Sequence, residues 1–136
     1  MSDTSSPTRL EYGLLLLRLG VATVMVPWSV DKIVNPEHTA RVFENFYFIS
    51  GLDATIAAVL GIGQLAIVIA FLLGLFKKWT YGAVLLIHAV ATLTSWQQYL
   101  DFNLLFYAAW PMLAACIMLF MLRDEDTLYN IGSGKA

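Results

Sequence analysis

Apolar residues run almost unbroken through residues 12–30, 54–76, 79–96 and 103–122, and polar residues collect between those runs. At about 1.5 Å per residue, each run is long enough to cross the ~30 Å hydrocarbon core of a bilayer. Backbone groups in lipid must be paired within the segment, so helix is the conformation these lengths dictate. The pattern therefore predicts an all-α, polytopic membrane four-helix bundle, with helices at about 12–33, 53–76, 79–98 and 103–123 in one domain over residues 10–123. Residues 1–9 and 124–136 read as tails, disordered at 2–7 and 132–136. The first run reads as a retained helix rather than a signal peptide, because no basic cluster precedes it and no small-x-small site follows before Pro27 and Trp28.

The longest polar interval interrupts this pattern with one of its own. Asn35 and Pro36 stop the first helix, and Val42, Phe43, Phe46 and Ile49 then recur at helical spacing opposite Arg41, Glu44 and Asn45. This predicts a short amphipathic interfacial helix at about 37–49 in the first outer loop, with Phe43, Phe46, Tyr47 and Phe48 at headgroup depth. It is either a lid that seals the bundle or a gate over a lateral opening to lipid.

Composition strengthens the membrane reading. The chain is 59% hydrophobic and 13% charged, with a mean hydropathy of +0.70, too little polar surface for a water-soluble domain. Lys and Arg then orient it. Arg9, Arg18, Lys77, Lys78, Arg123 and Lys135 fall on one side, against Lys32 and Arg41 on the other. The positive-inside rule puts both termini in the cytoplasm of a bacterial-type inner membrane. A net charge of -2 argues against a nucleic-acid partner. Arg123, Asp124, Glu125 and Asp126 read as a solvated helix end. Cys116 is the only cysteine, which excludes intramolecular disulfide chemistry, and no His, Cys, Asp or Glu spacing suits a metal.

Candidate chemistry comes from polar residues inside the apolar runs. Arg18, Ala22, Met25, Ser29 and Lys32 make one stripe on the first helix, and His88, Thr92 and Ser95 another on the third. Gln64 lies mid-helix in the second run, and Asn103, Tyr107 and Trp110 share a face of the fourth. A charge at the depth of Arg18 costs at least about 2.5–3.5 kcal/mol unless it is relieved. No Asp or Glu lies in a helix at that depth, so its expected partners are neutral acceptors, lipid phosphate or an anionic ligand. Arg18, Gln64, His88, Thr92 and Trp110 are the ligand-binding candidates. The plain alternative is interhelical hydrogen bonding by Gln64 and His88, and snorkelling by Arg18. At the outer mouth Lys32 continues the Arg18 stripe and is expected to meet Asp53 or Asp101, while adjacent Asp31 points elsewhere.

Leu17, Arg18, Leu19, Gly20 with Asp31, Lys32, Ile33 and Pro36, then Gly61, Ile62, Gly63, Gln64, and Leu73, Gly74, Leu75, and Ala91, Thr92, Leu93 resemble the DoxX family of small four-helix membrane proteins. The likeness covers roughly residues 13–122. It departs from the family at Trp28 and Ser29, where a small residue is usual, and at Gln64, where Glu is frequent. The resemblance implies an accessory subunit of a membrane redox system that is not catalytic alone, with a quinone-like or small anionic ligand, a redox partner protein and the lipid bilayer around it. A chaperone-like assembly helper is the alternative function, and a homo-oligomer the alternative state.

Overall fold

The structure, a computed structural model, describes residues 7–129; the expected tails up to residue 6 and beyond 129 lie outside the described residues. Among the described residues every regular element is a helix: α1 (Arg9–Val34), α2 (Pro36–Phe46), α3 (Ala54–Leu72), α4 (Lys77–Thr94), α5 (Trp96–Leu100), a 3₁₀ turn (Leu104–Ala108) and α6 (Ala109–Met121). Three segments are long and apolar enough to cross a membrane: α1, α3, and the 3₁₀ turn with α6. Helix α4 has 18 residues but opens on two lysines. The protein is a helical membrane protein.

Helix α1 begins where the Thr8 hydroxyl accepts the Glu11 N–H at 3.2 Å. It buries Leu14, Arg18, Val21, Ala22, Met25 and Ser29; of the stripe its spacing predicts, Arg18, Ala22, Met25 and Ser29 are buried and Lys32 is half-buried. Asp53 caps α3 the same way, its carboxylate accepting the Ile56 N–H at 2.8 Å. Helix α1 packs on α3, α3 on α4, α4 on α6 and α6 on α1, with α2 against α1 and α3. The α1–α3 crossing is tight. A Cβ built on Gly61 would come within 2.8 Å of Lys32 Cβ and 2.9 Å of the Ser29 carbonyl oxygen. Gly74, by contrast, ends α3 at φ 75°. Its N–H bonds the Phe71 carbonyl at 3.0 Å and the Leu75 N–H bonds that of Ala70 at 2.9 Å, a Schellman stop.

Two expected helices are divided. The run expected at 79–98 ends as α4 at Thr94, and the chain turns at Ser95 into α5. Thr92, Thr94 and Ser95 each return a hydroxyl to the carbonyl four residues back, all at 2.8 Å, a pattern that bends and weakens a helix end. The helix expected at 103–123 starts as a 3₁₀ turn, because Pro111 lacks an N–H and its ring opposes an α-turn over the preceding residues. Asn103, Tyr107 and Trp110 therefore share no buried face; Trp110 is 45% exposed, its ring tilted 48° to that of Tyr99 at 5.5 Å. The helix expected at about 37–49 is α2, which runs from Pro36 to Phe46.

A charged closure at one end and two cavities at the other

The end where α1 begins is closed by charge. Arg18 is 1% exposed and Asp126 is fully buried. Arg18 Nη1 lies 3.5 Å from Asp126 Oδ2, and the Tyr81 hydroxyl donates to the same oxygen at 2.5 Å. Arg18 Nη2 also donates to the Leu128 and Tyr129 carbonyls. Lys77, buried at the first residue of α4, donates from Nζ to the Arg123 carbonyl at 3.1 Å and to that of Asp126. It thereby serves acceptors that the end of α6 leaves over.

This geometry corrects two sequence expectations. Asp126 is not part of a solvated helix end, and the carboxylate that Arg18 lacked within the helices is supplied by the segment behind α6. Lys77, expected between the second and third helices, is instead the buried first residue of α4. Neither contact has a local signal: Asp126 sits in a short polar stretch with no periodicity, and the cue available was the cost of a lone Arg18.

The α2 end is arranged differently. A cavity of about 520 Å³ lies between α1, α4 and the 3₁₀–α6 segment, walled by Val21, Val24, Trp28, His88, Thr92 and Met112 among others. His88 is buried, and its Nε2 contacts the Ala109 carbonyl at 2.9 Å. A carbonyl only accepts, so Nε2 carries hydrogen, and Nδ1 has no hydrogen-bond partner among the described residues. The Thr92 hydroxyl donates its hydrogen bond to the His88 carbonyl. A second cavity, of about 830 Å³, lies beneath α2 between α1, α3 and α4; Gln64 and Lys32 line it, and Trp28 stands between the two spaces.

The predicted ligand residues thus divide. His88 and Thr92 share one cavity, Gln64 lines the other, Arg18 belongs to the closure, and Trp110 lines neither. Of the outer-mouth charges, Lys32 does face a cavity but pairs with neither Asp53 nor Asp101. Asp53 is engaged at the α3 cap and Asp101 is exposed. Asp31 accepts from Asn35 Nδ2 at 3.1 Å and lies 2.5 Å from His38 Nδ1, tying α1 to α2. Cys116 is buried and free, and among the described residues no three His, Cys, Asp or Glu side chains are grouped to hold a metal.

No curated protein and no solved structure matches the chain. The resemblance to the DoxX family is overturned, because the matching family model is a different one. Many of the residues that carried it are glycines and aliphatic residues with local structural duties, Gly61 at the α1–α3 crossing and Gly74 at the α3 stop, which helical membrane proteins require whatever their ancestry. Over residues 10–108, more than half of its length, the chain matches the model of the methylamine utilisation protein MauE, and it belongs to that family.

Proposed function

We propose that the protein is an accessory membrane component of a redox system of the methylamine-utilisation kind, holding a small ring-shaped ligand in the His88 cavity. It works with a redox partner protein and is not catalytic alone. Four segments span the bilayer in this reading, α4 being the fourth, and both termini face the cytoplasm of a bacterial-type inner membrane. The family name supports the setting. The observation that carries the ligand is His88: Nε2 is committed to the Ala109 carbonyl, while the buried Nδ1 is left without a partner in a side chain that lines a largely apolar cavity.

In the neutral ring Nδ1 accepts a hydrogen bond, so the complementary ligand carries a hydroxyl or N–H on a flat apolar body. A reduced quinone has that chemistry and partitions into lipid. Trp28, whose ring lies 6.3 Å from that of His88, offers a face for it. The test is extraction of the purified full chain followed by chromatography of the released small molecules. A ring compound retained by the native protein and lost in His88→Leu, with the melting temperature held, supports the site. Retention of nothing by the native chain, or of the same compound by both, sinks it.

A helper that only assembles or protects a partner is the second reading. It draws on the closed end, where the buried charges hold the protein's own chain. Partner maturation that survives His88→Leu and fails only when that closure is broken favours it.

A further inference from the structure

The cavity beneath α2 has walls and polar groups of its own. Most of its lining is apolar, including Val42, Phe43, Ile67 and Ile87. Inside it Gln64 is buried, and its amide makes no hydrogen bond among the described residues. Lys32 is half-buried; apart from the through-space attraction of adjacent Asp31 it has neither hydrogen bond nor ion pair there. Asp31 and His38 also line the cavity, where the Asp31 carboxylate is engaged with Asn35 and His38, and Asp53 is engaged with the first turn of α3. A half-buried cation and a buried amide with spare N–H groups are thus turned on one space.

That space opens sideways. Val59, Leu60, Leu86 and Val90 line it and are also exposed on the outer surface of α3 and α4. Leu60 lies about 10 Å along α3 from its start, a depth occupied by lipid tails. Helix α2 roofs the gap, with the Phe43 and Tyr47 rings 4.9 Å apart. The geometry points to a binding site for an amphipathic anion that enters from the bilayer, its carboxylate or phosphate head against Lys32 Nζ and the Gln64 amide and its hydrocarbon tail in the gap between α3 and α4. Neither an uncharged ring nor a water-soluble anion meets both features: the first leaves Lys32 without a hydrogen-bonded anion, the second leaves the apolar gap unfilled.

Native mass spectrometry of the full chain, in micelles doped with dioleoyl phosphatidylglycerol or dioleoyl phosphatidylcholine, tests this. The anionic lipid is expected to be retained at about tenfold lower mole fraction, the effect of one charge-assisted hydrogen bond. Lys32→Gln should abolish that preference. Gly63→Leu is the second variant: nothing lies within 4 Å of a Cβ at Gly63, which lines the cavity, so it should lower retention of both lipids while the melting temperature holds. Equal retention of the two lipids by the native chain, or an undiminished preference in Lys32→Gln, overturns the site. Displacement of the lipid by inorganic phosphate reassigns it to a free anion and overturns the amphiphile. His88→Leu should leave the lipid preference intact, which keeps this result separate from that of the ring ligand.

Discussion

The two ends of this molecule handle buried polarity in opposite ways. Where α1 begins, Arg18, Lys77, Tyr81 and Asp126 are all buried and engage one another or main-chain carbonyls of the segment behind α6. At the α2 end His88 keeps one ring nitrogen unpartnered, Gln64 has no hydrogen bond among the described residues, and both line cavities. A polar cluster engaged with itself and with the main chain rigidifies, even with Arg18 Nε making no hydrogen bond among the described residues, whereas polar groups beside a cavity have room for a partner. On the proposed reading, the same bilayer surrounds a structural end and a receptive one. Arg18, the most conspicuous charge in the apolar runs, belongs to the structural end.

The sharpest way to break this contrast is Asp126→Ala, which leaves Arg18 buried without its carboxylate. The expected loss is about 3–5 kcal/mol, read by thermal or denaturant unfolding in micelles. Combining Arg18→Met with Asp126→Leu should recover most of it; an Asp126→Ala protein that unfolds like the native one would remove the closure from the argument. Next in size is Gly61→Ala. The new methyl would press on the Ser29 carbonyl and Lys32 Cβ, contacts that only a shift of α1 relieves, for an expected cost of about 1–3 kcal/mol. Tyr81→Phe removes the hydroxyl that donates to Asp126 and should cost roughly 1 kcal/mol, with lipid retention at the other end unchanged. Smallest is Gly63→Ala, two residues from Gly61 but facing open space, where the change in stability should stay within about 0.5 kcal/mol. Equal costs at Gly61 and Gly63 would show that the α1–α3 crossing is not where the structure has it.

Much of the helical frame was legible because it rests on local periodicity. The α1 stripe and the α2 amphipathic pattern each follow from residues three or four apart, a spacing that dictates a shared face once the helix is given. The site was legible only in its members. His88, Thr92 and Gln64 stood out as polar residues in apolar runs, but their separation into two cavities depends on how α4 and α6 lean on α1 and α3. Trp110 lost its expected face to the 3₁₀ turn ahead of Pro111, and Lys32 met neither Asp53 nor Asp101 because their geometry is set by different elements.

By itself the chain determined that its solvent is lipid, that its fold is helical and which face of α1 is buried, since hydropathy and period act over a few neighbouring residues and need no partner. Only the tertiary structure decided that Arg18 finds Asp126, that Lys77 turns inward onto the end of α6, and that the unpartnered polar groups gather beneath and beside α2. Those outcomes join residues far apart in sequence. A buried charge states that it needs a partner, but the chain's path in space decides which carboxylate arrives.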